Sequence, residues 1–577
     1  MDSKNLPKTQ HAIQLVGPGK LWHNVAKDVA TPGPYQILAR IEAVGLCFSD
    51  LKLLKQFSRH ARKGEILGGI SGEVLAEIPS YVPGDRPTVP GHEAVCRIAA
   101  VGDKVRRHRI GERCLVQTDY RTLRTGSSNA AFGYNFEGGL QEYVLMDERV
   151  VIDAESGERF LIPVADHLSA SEVALVEPWA CVEDAYANPE RRHPKPGGRL
   201  LAVAEEGHRI EGLADAIAEN KPACVFGIGV RREELRLPAR TEAVLESAAS
   251  LSALPEYFFD DIVYFGAKRQ TIEGFNGRIA AGGIVNIVTA GRRIGEPVSV
   301  GIGRVHYGMT RWIGTTGDRA DESYQTIPQD GEIRPGDRIA VLGAAGPMGQ
   351  MHVIRNIRQG IAGISIVGTD VDDSRLAALA QKARPLAEAE GVSLRLINTA
   401  REPLVEQFSY FVLLAPVGGL VANAIQTSLE GCIINVFAGI PPSTRQELDL
   451  DIYIANRCYM IGTSGSVIRD MKIVLEKIER GRLDINCSVD AVSGMAGAID
   501  GLAAVENRTL AGKIIVYPEL HSLGLIPLSE LAQLYPSVAA ELRHGQWTPT
   551  AEKELLRVAR DSGSPPQPHG PTRSAEE

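Results

Sequence analysis

The sequence predicts an α/β chain: an irregular antiparallel β domain followed by two tandem domains, each a doubly wound parallel sheet covered by helices. Three observations carry that expectation. First, short β-branched runs punctuated by Gly and Pro fill the chain to about residue 187, and after Asn188 strand-like runs alternate with helical stretches, the pattern of parallel strands joined through helices. Second, this later pattern occurs twice. Lys195-Pro-Gly-Gly-Arg-Leu-Leu-Ala-Val203 is echoed by Arg334-Pro-Gly-Asp-Arg-Ile-Ala-Val-Leu342 at an offset of 139 residues, and Ile313-Gly-Thr-Thr-Gly317 by Ile461-Gly-Thr-Ser-Gly465 at an offset of 148. Two similar offsets at corresponding places mark a duplicated unit with a small length change, and the period is too long for a solenoid repeat. Third, in the second copy a glycine-rich turn follows the strand-like residues 339–342, and an acid ends the next strand.

A chain of 577 residues exceeds one hydrophobic core and suggests three or four domains at roughly 150 residues each. The expected boundaries are 1–187 with 487–518 for the β domain, 188–331 and 332–486 for the parallel-sheet domains, and 519–577 for a helical arm and tail. The net charge of −9 gives no electrostatic reason to expect nucleic acid or an anionic membrane as partner. No apolar run approaches the roughly 20 residues of a membrane span, and residues 1–10 lack a signal peptide's apolar centre. The expected location is the cytoplasm. Eight scattered cysteines form no disulfide framework.

In the β domain, residues 35–44 and 94–101 read as strands. Beside them, Gly45-Leu46-Cys47-Phe48-Ser49-Asp50 and Pro90-Gly91-His92-Glu93 offer a thiolate, an imidazole and a carboxylate near a hydroxyl. These are zinc-binding groups; an ion with an open position polarises a substrate oxygen, and Ser49 is placed to carry away an alcohol proton. The 44 residues between Cys47 and His92 include a basic cluster, Arg59, His60, Arg62 and Lys63. It reads either as a solvated loop or as a lid over an anionic or heavily hydroxylated substrate.

In the first parallel-sheet copy, the 139-residue offset puts Ala204-Glu205-Glu206-Gly207 at the place of the glycine turn. Two carboxylates there would face phosphate oxygens in a partly dry site, at a cost of several kcal/mol. This degenerate copy is expected not to hold a dinucleotide but to act as a spacer, an oligomer contact or a wall of the substrate cleft. In the second copy, Gly343-Ala344-Ala345-Gly346-Pro347-Met348-Gly349 lets the backbone approach a pyrophosphate and leads into a helix expected from near Gln350. Residues 364–370 form the next strand and end in Asp370, 21 residues past Gly349, the spacing of an acid that binds the adenosine ribose. Asp370 would repel a 2′-phosphate, so NAD is expected over NADP. Residues 528–542 and 550–559 have helical spacing and suggest a docking arm; the last dozen residues, rich in Ser, Pro and Gly, are expected to be disordered.

In these strings the chain resembles the zinc-dependent medium-chain alcohol and polyol dehydrogenases, in a variant with two Rossmann-like domains in tandem. Val101-Gly102-Asp103 and Gly111-Glu112-Arg113 keep the family's register, and the resemblance covers about residues 35–187 and 332–517. It implies a GroES-like catalytic domain completed by residues 487–518, with one catalytic zinc on Cys47 and His92. No structural zinc is implied, since residues 118–142 hold no cysteine. Val176-Glu177-Pro178-Trp179-Ala180-Cys181 looks like the polyol and sugar dehydrogenase version, in which Glu177 faces the metal. Glu93 is either a direct ligand or a carboxylate that exchanges with water or substrate. The family's proton relay runs from Ser49 to a histidine two residues past Asp50; here that residue is Lys52, and Asp50 orients a ligand or the loop. Ala344 takes the place of the family's first glycine, and Arg375 matches a basic position bordering the adenosine. The implied reaction is hydride transfer between a secondary alcohol of a polyol, sugar or sugar derivative and NAD, in a homodimer or homotetramer. Two alternatives stand beside it: a sugar epimerase or lyase that keeps its NAD bound, and a non-catalytic binding or regulatory homologue.

Overall fold

The computed structural model describes residues 6–235, 242–244 and 251–561, so the expected disordered tail lies outside the described residues. The chain forms two compact units, Met1–Cys181 with Ser466–Glu577, and Val182–Gly465.

The first unit is built on a sheet whose neighbouring strands are Ile526–Pro527, Val489–Ser493, Lys513–Val516, Gln36–Gly45, Glu93–Val101, Arg113–Val116 and Leu161–Pro163, with Tyr143–Asp147 also paired to Gln36–Gly45. Its register assembles a site. Gly45 pairs with Glu93 and with Ile515, so the chain just after Gly45, the chain just before Glu93 and residue 513 all reach one end of the sheet. Within this sheet Val489–Ser493 and Lys513–Val516 pair in parallel, between Ile526–Pro527 and Gln36–Gly45. Beyond it, residues 528–542 are not one helix but three short pieces, Leu528–Glu530, Leu531–Leu534 and Pro536–Ala540, because Pro536 lacks the N–H that continuation requires. The last helix, Pro549–Asp561, is anchored by Glu552, whose carboxylate accepts the amides of Ala170 at 2.5 Å and Ser171 at 2.7 Å and the Tyr517 hydroxyl at 2.9 Å. These contacts cap the start of the helix Ala170–Ala187, which carries Glu177.

The second unit holds two six-stranded parallel sheets. In chain order the strands are Arg199–Ala204, Cys224–Ile228, Glu242–Val244, Phe259–Phe265, Ile279–Val288 and Arg311–Thr315, then Arg338–Leu342, Ser365–Asp370, Ser393–Asn398, Phe408–Leu413, Ser428–Val436 and Tyr459–Ile461. Both sheets have the spatial order third, second, first, fourth, fifth, sixth, the doubly wound arrangement with a crevice between the first and fourth strands. One apolar core runs through both, from Leu201, Phe259 and Val285 to Ala340, Phe411 and Ile434. Among the described residues no helix is long and apolar enough to cross a membrane.

Candidate metal and dinucleotide sites

Cys47 ends an extended stretch and caps the helix Phe48–Gln56. The Asp50 carboxylate, three residues on, accepts the Cys47 amide at 3.1 Å, the Gly91 amide at 3.3 Å and the Nδ1 side of His92 at 3.1 Å. One buried acid therefore fixes both ligand-bearing segments and leaves the other His92 nitrogen for a metal. The ligand atoms of Cys47, His92 and Glu93 all lie within 4.8 Å of one another. Glu93 is fully buried; its Oε1 accepts from Lys513 Nζ at 2.5 Å, while its Oε2 has no hydrogen-bond partner. A side chain at Gly45 would collide with that unpaired oxygen. A soft thiolate, an imidazole and an oxygen with an unused lone pair suit zinc.

The electrostatics follow from burial. It opposes a charge on His92, but Tyr134 and Asp50 outweigh it and hold the ring well above its usual value. Burial also pushes the Glu177 carboxyl up to about 7, with His92 pulling it down and Glu93 adding to the rise. Glu177 is thus buried beside the group without belonging to the mutually close set, and Cys181 Sγ lies 3.6 Å from its Oε1. Ser49 is half-buried in the helix start, and Lys52 is exposed on the same helix.

Sequence reasoning missed two contributors. Lys513 supplies the cation that compensates Glu93. Tyr134 packs its ring 5.6 Å from that of His92. Arg62 lies over Tyr134 at 5.4 Å and pairs with Asp119 at 2.9 Å. The basic insert is therefore no simple solvated loop. Arg59 is exposed, but His60 packs on Tyr134 at 5.1 Å, and Lys63 is buried with its Nζ on the carbonyls of Val82 and Arg86. Burial, with Arg62 adding to it, lowers the His60 ring to about 4, so His60 is neutral at physiological pH.

In the second unit, the helix Pro347–Arg358 starts three residues before the expected Gln350, because Pro347 is favoured at a first helical position. Gly343 has φ +90°, a conformation that needs glycine. Its amide and that of Ala344 donate to the Thr369 carbonyl at 2.9 and 2.8 Å, pinning the turn to the second strand. A Cβ at Gly349 would strike the Gly343 carbonyl and lie 2.6 Å from that of Ala344, whereas one at Gly346 would meet only the Gly343 carbonyl, at an ordinary 3.8 Å. The helix start is thus packed tightly on the turn with its first-turn amides unused within the helix, which suits an anionic pyrophosphate. Asp370 ends its strand, buried, and its Oδ1 accepts from the Val371 amide at 2.8 Å and from Arg375 Nη2 at 2.6 Å. Arg375 is therefore an ion-pair partner of the acid.

The counterpart turn in the first sheet differs in kind. The helix that follows it, Leu213–Ile217, has five residues and begins nine residues after the strand ends. Glu205 is held by the Tyr264 hydroxyl and by the Lys268 amide at 3.2 Å, so its carboxylate occupies the top of the sheet.

Residues 33–156 match the alcohol dehydrogenase GroES-like domain. In this domain and in its curated relatives the chain resembles the medium-chain dehydrogenases. It is 30% identical to the uncharacterized protein YggP of Escherichia coli over 39% of this chain and 57% of that one, and 28% identical to mannitol-1-phosphate 5-dehydrogenase of Aliivibrio fischeri over 46% and 64%. Sorbitol dehydrogenase of Bacillus subtilis matches at 28% identity over 37% of this chain and 53% of its own. The matches thus span less than two thirds of these relatives' lengths. The crystal structure of 2R,3R-butanediol dehydrogenase from Bacillus subtilis superposes with a TM-score of 0.48 at 14% identity, covering 88% of this chain and all of that one (100%).

Proposed function

We propose that this chain is a zinc-dependent, NAD-linked dehydrogenase acting on a secondary alcohol of a polyol or sugar derivative. The observation that carries the reading is the convergence of Cys47, His92 and Glu93 within 4.8 Å, with one Glu93 oxygen buried and unpartnered. The relatives named for mannitol-1-phosphate and sorbitol support the substrate class.

Cys47 and His92 would hold the metal, with Glu93 or Glu177 as third protein ligand. When bound, zinc would supply Lewis acidity, which makes an alcohol easier to deprotonate near neutral pH. NAD, when bound, would supply the hydride acceptor. Asp50 keeps the His92 ring oriented, and Lys513 offsets the Glu93 charge so that an anionic ligand set is tolerated in a buried place. The Ser49 hydroxyl takes the alcohol proton and passes it outward toward Lys52. The Gly343 to Gly349 turn receives the pyrophosphate, and Asp370 takes the ribose diol and disfavours a 2′-phosphate.

The test is a screen of polyols, sugars and their phosphates for NAD reduction, with Cys47→Ala as control. A hydroxylated substrate should reduce NAD with the wild type and not with the variant. Unchanged turnover in Cys47→Ala would place the chemistry elsewhere.

A further inference from the structure

The two parallel sheets of the second unit share more than strand order: they meet through equivalent residues. From the fourth strand onward the copies correspond at an offset of 148 residues, so that Phe265 matches Leu413 and Val288 matches Val436 at the strand ends. In that frame the short strands Val298–Val300 and Gln446–Leu448 are counterparts, and they pair with each other antiparallel. The register is Val298 with Leu448, Ser299 with Glu447, and Val300 with Gln446. Ser299 and Glu447 are themselves equivalent positions, so an axis of approximate two-fold symmetry passes through that pair.

Two further contacts obey the same exchange. A Cβ at Gly462 would meet the Cα of His306 at 2.9 Å, and one at Gly314 would meet the side chain of Ile454 at 2.8 Å; the offset converts each contact into the other. A Cβ at Gly303 would strike the Pro441 carbonyl, while Asp451, the counterpart of Gly303, pairs at 3.7 Å with Arg293, the counterpart of Pro441. Glu190 bonds both members of one equivalent pair, Arg311 at 2.7 Å and the Tyr459 hydroxyl at 2.7 Å. In a self-complementary interface, residue i touches j while the equivalent of i touches the equivalent of j. That rule is met here inside a single chain.

The edge strands Arg311–Thr315 and Tyr459–Ile461 also lie against each other across this axis. An open sheet edge invites a second chain, and covering it removes the invitation. We infer that residues 188–331 serve as a built-in second copy of the dinucleotide-binding half: they occupy the self-complementary face around residues 446–462, which is thereby closed to another chain. The degenerate turn at Glu205 fits this division of labour, since the copy keeps its pairing face while its phosphate-binding turn is altered. The inference rests on sheet geometry alone and stands apart from the reaction proposed above.

Paired cysteines at the axis test it in the full-length protein. Ser299→Cys with Glu447→Cys should be bridged within one chain by the short thiol cross-linker dibromobimane, at every protein concentration, as read by denaturing gel and peptide mapping. Glu447→Cys alone should give no bridge between residues 447 of two chains. If two copies met through this face, the same axis would bring their residues 447 together. A 447-to-447 bridge in the single variant would overturn the inference, as would an interchain 299-to-447 bridge in the double variant or a double variant that stays folded but unbridged.

Discussion

Asp50 joins the two ligand segments, accepting from Cys47, Gly91 and His92 at once. Its replacement by Asn is expected to weaken zinc binding by about 10–100-fold, the usual cost of losing a group that orients a ligand, measured by competition against a chromogenic chelator. Lys513 poses a different question, because it neutralises a fully buried carboxylate. Lys513→Met leaves Glu93 charged without a partner and should lower stability by about 3–5 kcal/mol. Glu93→Gln combined with Lys513→Met should recover most of that loss in urea denaturation, and no recovery would mean the pair is not what holds this end of the sheet. Cys47, His92 and Glu93 were legible in the sequence because each stands in a short glycine-marked string. Lys513 and Tyr134 were not, since their places depend on strand register and loop closure; Lys513 meets Glu93 across 420 residues of chain.

At the scale of elements, the tightest constraint is the start of the helix Pro347–Arg358. Gly349→Ala drives a methyl group into the Gly343 carbonyl, and forcing atoms into a filled space costs about 1–3 kcal/mol. The expected result is loss of NAD binding by calorimetry with the metal content unchanged. The sequence revealed this turn and its strand through glycine spacing, whereas Pro536 shows how a helical spacing of apolar residues misleads when a proline cuts it. The junction between the two sheets makes a pH-dependent prediction. Burial opposes the charge on Glu190, but Arg311 outweighs it and holds the carboxyl below its ordinary value of 4.5. A depressed carboxylate contributes stability that is complete above the unfolded value and is lost as pH falls through the folded one. Glu190→Gln should therefore unfold at lower urea at neutral pH and show a shallower decline on acidification, as followed by circular dichroism. A wild-type-like acid dependence in the variant would show that Glu190 does not carry it.

For the whole molecule, the repeated strings at offsets of 139 and 148 disclosed the duplication before any coordinates, and the matched strand orders bear it out. What the strings could not disclose was the symmetry between the copies, because a two-fold relation resides in contacts and not in periodicity. With only the second copy carrying a helix packed on a glycine turn, one NAD per chain is expected by equilibrium titration; two equivalent sites would contradict the assignment of the Glu205 turn as non-binding. Protein stripped by a chelator should lose polyol-dependent NAD reduction and regain it in step with returned zinc, saturating at one ion per chain, while Cys47→Ala neither takes up the ion nor recovers. Full turnover by metal-free protein would contradict the account.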